Sequence, residues 1–257
     1  MKRQPADGSG GRRYGLLDNL RGLAVLNMVI YHGIYDWVYI FGRPAVWFTA
    51  TRNAYLWEQA ICWTFILVAG AVFPLGRRPA RRGALVLGCG LVLTAVTVLV
   101  MPSEQILFGI LHFLGIAMLL SALLKQWLLK VPAAAGAAGS FALFLLTKCL
   151  PRGGLGVGDV LLWPLPEVLY SCRWTFPLGL MGPGFYSADY FPLLPWLFLF
   201  WTGMYAWRGL AARWGGRLPH CGQVPGLAWL GRHSLPVYML HQPVLLAAIW
   251  LLAHMVS

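Results

Sequence analysis

The chain has 257 residues, of which 59% are hydrophobic and only 11% are charged. Soluble domains usually carry about 25% charged residues, so this composition excludes an ordinary soluble protein and indicates a multi-pass membrane protein. The net charge of +12 does not predict a nucleic-acid partner, because lysine and arginine also gather in the cytoplasmic loops of membrane proteins. The five cysteines include no CxxC pair and predict neither a disulfide framework nor a metal site.

We predict an all-α bundle of about seven transmembrane helices, because seven apolar stretches approach the ~20 residues that a spanning helix needs. They lie at 17–37, 54–75, 84–101, 105–124, 132–149, 191–207 and 235–255. Residues 1–15 are predicted to form a basic cytoplasmic tail, and residues 16–257 a single transmembrane domain. Prolines break the stretch 150–190, which therefore predicts an external loop with room for an interfacial or re-entrant segment.

The positive charges predict the orientation of this bundle. An amino terminus in the cytoplasm places most of the 20 Lys and Arg residues on the cytoplasmic side, as the positive-inside rule requires. We therefore expect a cell-membrane protein with its amino terminus inside and its carboxyl terminus outside.

Four ionisable side chains lie on one face of the first predicted helix. At about 100° per residue, one narrow stripe contains Asp18, Arg21, His32 and Asp36. Ionisable groups are costly in lipid, so the stripe should face protein or a water-filled cavity and is a candidate functional site. The guanidinium of Arg21 suits a phosphate or the neutralisation of Asp18. His32, about 16 Å further along, can act as a general base whose tautomer Asp36 fixes; an interhelical hydrogen bond is the structural alternative.

Two further histidines stand inside predicted spans. His112 lies in the fourth span, where Gly109 and Gly115 allow a neighbouring helix to approach closely. It is either a packing residue or a polar group brought near the first helix. His241 lies in the seventh span, close to Pro243, which removes one helix hydrogen bond. We interpret His241 as part of a polar cavity lining, with a simple kink as the alternative.

Charged residues at helix ends complete the candidate site. Arg78, in the RRPARR segment, either anchors a cytoplasmic loop or contributes to binding an anionic, phosphate-bearing cofactor. Arg232 precedes the seventh helix, whose amino terminus is a potential anion site. On the outer side, Asp189 and Tyr190 either cap the sixth helix or form the mouth of a cavity that receives an acceptor.

The segments that carry these residues resemble a known family. They are LDNLRGLAVLNMVIYHGIYD, FGILHFLGIAMLL, SADYFPLLPW with a glycine after it, and GRHSLPVYMLHQPVL, and they cover nearly the whole chain. The chain resembles a small bacterial member of the transmembrane acyltransferase superfamily. It is most similar to the family named for the catalytic domain of heparan-α-glucosaminide N-acetyltransferase. The Arg–His spacing of the first helix is also similar to that of membrane acyltransferases that modify surface glycans.

This resemblance implies an enzyme of the bacterial inner membrane that uses acyl-CoA, usually acetyl-CoA, from the cytoplasm. Its acceptor would be a hydroxyl or amine of a glycan on the outer side, and no metal is expected. The resemblance carries over Asp18, Arg21, His32, His112 and His241, although the lysosomal relative has an asparagine in place of His32. The resemblance and the positions described above together predict catalysis by His32, Asp36 and His112, donor binding by Arg21, Asp18, Arg78, Arg232 and His241, and acceptor binding by Asp189 and Tyr190.

Alternatives remain open at this point. Transfer can be direct or can pass through an acyl-histidine intermediate. A transporter or lipid translocase would use the same polar stripe, although the chain has no internal repeat. A haem-binding electron carrier would use two of the three histidines His32, His112 and His241 as ligands.

Overall fold

The computed structural model describes residues 14–49, 51–158, 160–214 and 222–255. Of the predicted tail 1–15, only Tyr14 and Gly15 fall within these ranges. The described helices are α1 (Gly15–Tyr35), α2 (Arg52–Val72), α3 (Pro79–Val100), α4 (Ile110–Leu123), α5 (Lys125–Lys130), α6 (Ala133–Thr147), α7 (Leu193–Trp214), α8 (Pro225–Arg232) and α9 (Ser234–Met255). A short antiparallel pair, β1 (Gly154–Val157) and β2 (Val160–Pro164), is the sheet of this part of the chain. The predicted all-α membrane bundle is confirmed.

Five described helical segments are long and apolar enough to cross a membrane: Gly15–Ile40, Arg52–Leu75, Pro79–Val100, Ala133–Arg152 and Ser234–Met255. They correspond to the first, second, third, fifth and seventh predicted spans. The fourth predicted span forms the shorter apolar helix α4, with 14 residues. The sixth forms α7, whose 22 residues include tryptophans, a tyrosine and two arginines that lower its hydropathy. The side of the membrane on which each loop lies stays a prediction.

The hydrophobic core is centred on α7. Trp196, Phe200 and Tyr205 of this helix are buried, and both α2 and α6 pack against it, while α4 packs on α3. Gly70 of α2 and Gly203 of α7 lie where two of these helices cross. A Cβ atom on Gly70 would collide with the carbonyl oxygen of Phe200, and one on Gly203 with a carbonyl oxygen of α2. The backbones of α2 and α7 are therefore in direct contact.

Substitution of Gly70 by alanine should destabilise the protein by about 1–3 kcal/mol, because the added methyl group meets rigid backbone. The measurement is the melting temperature of the purified protein in detergent. Gly88→Ala is the matched control, since Gly88 is also inside a helix but a Cβ there meets nothing within 4 Å. Equal melting temperatures of the two variants would contradict the close crossing.

Helix α1 is held by α8 at its beginning and by α9 further along. Gly22 and Gly231 let the α1 and α8 backbones touch, since a Cβ on either would collide with a carbonyl oxygen of the other helix. Near this crossing, Arg21 Nη1 donates to the carbonyl oxygen of Gly231 (3.5 Å). Further along α1, His32 contacts His241 of α9. Because α9 begins directly after α8, α1 and α9 run in the same direction.

The stretch 150–190 has no membrane-spanning helix among its described residues, as predicted. It contains the β1–β2 pair and three short 3-10 turns, Leu150–Arg152, Glu167–Tyr170 and Phe176–Leu178. Every residue of β2 is exposed. Two tyrosines tie this stretch together: the Tyr170 hydroxyl donates to the Leu150 carbonyl (2.8 Å), and the Tyr190 hydroxyl donates to the Phe176 carbonyl.

Candidate active site

Four arginines meet at one end of a cavity of about 270 Å³, which we call the arginine end: Arg21, Arg77, Arg78 and Arg82. Arg21 comes from α1 and is half-buried, whereas the other three are exposed. Arg78 directly precedes α3, so the free N–H groups of the first turn of α3 lie at the same end. Arg21 and Arg82 are close enough to repel each other. An anionic ligand would relieve this repulsion, and guanidinium groups bind phosphates well.

The remaining wall of the cavity is almost entirely apolar. Side chains of α2, α3, α4 and α9 contribute to it, among them Phe65, Ala69, Val86, Leu111, Leu114 and Leu235. Helix α9 contributes two polar side chains to the lining, Ser234 at its first residue and Tyr238 one turn further along. The cavity therefore suits a ligand with an anionic head and a slender, largely apolar arm.

His32 and His241 are in contact between α1 and α9, and we call them the histidine pair. Their ring centroids are 4.9 Å apart and their planes are inclined by 77°. Nδ1 of His32 lies 2.9 Å from the carbonyl oxygen of Met28, and Nδ1 of His241 lies 2.6 Å from that of Tyr238. A carbonyl only accepts, so in the neutral rings Nδ1 carries the hydrogen and Nε2 is free to take a proton.

Tyr238 connects the cavity to the histidine pair. Its backbone carbonyl holds His241, and its hydroxyl donates to Asp189 Oδ2 (3.2 Å). The same Asp189 oxygen accepts the backbone N–H of Ile110 (3.0 Å) at the beginning of α4. Burial raises the pKa of Asp189, while the Ile110 amide, nearby His32 and the Tyr238 hydroxyl act in the opposite direction.

Asp36 does not fix the tautomer of His32, contrary to the sequence-based expectation. It is fully buried, and its Oδ1 accepts a hydrogen bond from Gln242 Nε2 (2.7 Å). Helical side chains point back toward the amino terminus of their helix. The ring of His32 therefore reaches Met28, one turn before it, and not Asp36, one turn after it.

His112 is a buried packing residue of α4 and makes no described contact with the histidine pair. Its Nε2 lies 3.1 Å from the hydroxyl of Thr94, which itself donates to the Ile106 carbonyl (2.6 Å). The hydroxyl has a single hydrogen, so His112 Nε2–H must be the donor. The ring also stacks on Phe108, with centroids 5.9 Å apart. A catalytic part for His112 has no support in this geometry.

Only some of the residues predicted to bind the donor or the acceptor line the cavity. Arg21 and Arg78 line the cavity, whereas Arg232 is exposed on α8 and Asp18 is half-buried on α1, and neither is in the lining. His241 lies with His32, away from the arginine end.

Of the two residues predicted to bind the acceptor, Tyr190 is half-buried. Its hydroxyl donates to the Phe176 carbonyl, and burial raises its pKa. The hydroxyl hydrogen of Tyr190 is therefore used within the loop. Asp189 lies beside Tyr238, as a cap of α4.

The sequence reasoning missed Tyr238, Glu58 and Tyr31. Glu58 of α2 accepts the hydroxyl of Tyr31 (3.1 Å), and it lies within electrostatic range of both His32 and Asp189. An acidic residue inside a predicted span is itself a functional signal, so Glu58 was recognisable from the sequence. Tyr238 was not recognisable as a site residue from the sequence, because tyrosines are common in membrane helices.

Substitution of Tyr238 by phenylalanine should destabilise the protein more at neutral than at acid pH. Because the folded pKa of Asp189 is raised, the stability that this carboxyl contributes is present below its unfolded pKa and lost as pH rises through the folded pKa. Removal of the hydroxyl raises that pKa further. The loss in melting temperature should therefore be larger at about pH 8 than at about pH 4.

The control for this measurement is Tyr170→Phe, which removes a hydroxyl bound to a backbone carbonyl. Its effect on the melting temperature should not depend on pH. The same dependence in both variants would contradict a coupling between Tyr238 and Asp189.

A protein-family model described as "Heparan-alpha-glucosaminide N-acetyltransferase, catalytic" matches residues 13–243. The match covers most of the chain, and it includes the arginine end, the apolar cavity wall and the histidine pair. None of the curated proteins and none of the solved structures gives a match.

Proposed function

Because the chain belongs to the heparan-α-glucosaminide N-acetyltransferase catalytic family, we propose that it moves an acetyl group from acetyl-CoA to a sugar hydroxyl or amine. Membership of this family indicates a membrane acetyltransferase. The donor, the acceptor and the direction of transfer are the parts that we propose. The donor enters from the cytoplasm, and the acceptor stands on the outer side of a bacterial inner membrane.

The cavity between the arginine end and Tyr238 is the observation that carries this proposal. Acetyl-CoA has a phosphate-rich nucleotide and a slender arm that ends in the thioester. The arginine end suits the phosphates, with Arg21 and Arg78 as the predicted contacts, and the apolar wall suits the arm. The thioester then points toward Tyr238, whose carbonyl holds His241 against His32.

In the reaction that we propose, His32 Nε2 removes a proton from the acceptor hydroxyl or amine as it attacks the thioester carbonyl. A new C–O or C–N bond forms, the C–S bond breaks, and the CoA thiolate leaves with the proton that His32 returns. The imidazolium formed on the way is stabilised by Glu58 and Asp189, which lie within electrostatic range of His32. His241 limits the movement of the His32 ring by direct contact.

An acyl-histidine route is a variant of the same function. The contact between His32 and His241 favours it, because one Nε2 can attack the thioester and expel the CoA thiolate, and the other can take the proton of the acceptor when the acceptor then attacks the acyl-histidine. Purified protein incubated with labelled acetyl-CoA and no acceptor separates the two routes. Label retained on a histidine supports the covalent route, and its absence supports direct transfer.

The test of the proposed function uses the purified full chain in proteoliposomes, with labelled acetyl-CoA and glucosamine as the probe acceptor. Acetylated glucosamine, dependent on acetyl-CoA, is the expected product. Movement of glucosamine across the membrane without acetylation would overturn the proposal in favour of a transporter. Acetyl-CoA on one side and glucosamine on the other tests the direction of transfer.

A further inference from the structure

Three buried polar atoms where α1 meets α9 have no hydrogen-bond partner within the described residues: Asp36 Oδ2, Gln242 Oε1 and His241 Nε2. Two of these atoms are on Asp36 and Gln242, whose other polar atoms, Oδ1 and Nε2, form a hydrogen bond that joins the helices one turn beyond His32. The mechanism proposed above uses neither Asp36 nor Gln242. The site therefore has unfilled hydrogen-bonding capacity next to the proposed base.

All three atoms accept hydrogen bonds. Gln242 Nε2 donates to Asp36 Oδ1, so the amide cannot turn its oxygen toward the carboxylate without repulsion, and Oε1 faces away. His241 donates through Nδ1 to the Tyr238 carbonyl, which leaves Nε2 as an acceptor. Asp36 is fully buried, and a buried acceptor without a donor lowers stability.

We propose that Asp36 Oδ2 and Gln242 Oε1 accept hydrogen bonds from hydroxyl groups of the acceptor sugar. This inference rests on the proposed acetyl transfer and deepens it by naming the residues that recognise the acceptor. His241 Nε2 is the third acceptor and lies against His32. A sugar held this way has its reacting oxygen or nitrogen beside His32 Nε2.

The chemistry of the site selects this class of ligand. A phosphate or carboxylate would be repelled by Asp36 and would bring further acceptors to a site that already has three. A hydrocarbon would leave all three atoms without donors. A ring with several hydroxyl groups supplies the missing donors. Recognition of the acceptor sugar then takes place at a different site from binding of the donor phosphates, which the arginine end performs.

The test compares two amines that differ in hydroxyl groups, glucosamine and cyclohexylamine. Their affinities for the purified full chain in detergent are measured by ligand-dependent shifts in melting temperature, with acetyl-CoA as a third ligand. Asp36→Asn is the variant, because asparagine keeps an oxygen for Gln242 and replaces the free acceptor by an N–H₂ donor. We expect glucosamine affinity to fall about tenfold or more, with acetyl-CoA affinity within about twofold of wild type.

Ser121→Ala is the control, since Ser121 is a buried residue that accepts the indole N–H of Trp201 (2.9 Å) in another part of the core. It should leave glucosamine affinity unchanged. Gln242→Met, which removes the second acceptor, should weaken glucosamine as Asp36→Asn does, and it decides the question if Asp36→Asn does not fold.

Equal affinity of wild type and Asp36→Asn for glucosamine would overturn the inference, as would wild-type binding of glucosamine no tighter than that of cyclohexylamine. Failure of acetyl-CoA to bind wild type would instead overturn the proposed function, whatever the sugars do. The two failures are therefore distinguishable in one set of measurements.

Discussion

Replacement of His32 by alanine should lower the kcat of acetyl transfer by about 100- to 10,000-fold, the range expected for loss of a general base. The Met28 carbonyl fixes the hydrogen of His32 on Nδ1, so Nε2 is ready to accept a proton. Alanine removes this acceptor, whereas the arginine end and the apolar cavity wall remain. The KM for acetyl-CoA should therefore change little, and steady-state kinetics of the purified protein separates the two parameters.

The control for this prediction is His254→Ala. His254 has its Nδ1 2.9 Å from the Trp250 carbonyl, the same local hydrogen bond as His32, but it is exposed near the end of α9. It should retain wild-type kinetics. Full transfer activity of His32→Ala would contradict the assignment of His32 as the general base, and His241 would then be the next residue to test.

Replacement of Arg21 by alanine should raise the KM for acetyl-CoA by about 10- to 100-fold, as expected for loss of a charge-assisted contact with a phosphate. Arg21 is the half-buried member of the arginine end, so water screens it less than the exposed arginines. Arg78→Ala should have a smaller effect in the same direction. The wild-type KM should also rise with salt concentration, and this rise should be weaker in Arg78→Ala, because salt screens an exposed arginine more than the half-buried Arg21.

Arg232→Ala is the matched control for the arginine end. Sequence reasoning placed Arg232 with the donor phosphates, but the residue is exposed on α8 and does not line the cavity. We expect the KM of Arg232→Ala for acetyl-CoA to stay within about twofold of wild type, since an exposed charge outside the site contributes little to binding of the donor. A larger effect of Arg232→Ala than of Arg21→Ala would show that the phosphates bind elsewhere.

The sequence predicts a membrane-spanning helix correctly where most of its side chains must be apolar because they face lipid. Helices α1, α2, α3, α6 and α9 follow from the length of apolar runs, because each must cover the hydrocarbon layer. The short helix α4 and the central helix α7 could not be distinguished this way. Hydropathy does not reveal whether an apolar side chain faces lipid or protein, and Phe200 of α7 is fully buried in protein.

The sequence by itself determined that Arg21 and His32 share a face of one helix, because the helical period is a local property of the chain. Only the tertiary structure decided their partners. The close backbone contact of Gly22 and Gly231 sets how α1 lies against α8, and the contact between α1 and α9 brings His241 to His32.

The same distinction explains why Asp36 and His112 differ from expectation. Helix periodicity places Asp36 near His32. The direction of the side chains and the register of α9 decide their partners, however: Asp36 binds Gln242, and His32 binds a backbone carbonyl. His112 is held by Thr94 of α3, distant in sequence. Local periodicity thus located the polar groups, whereas contacts between helices decided which of them meet and which atoms stay free for a substrate.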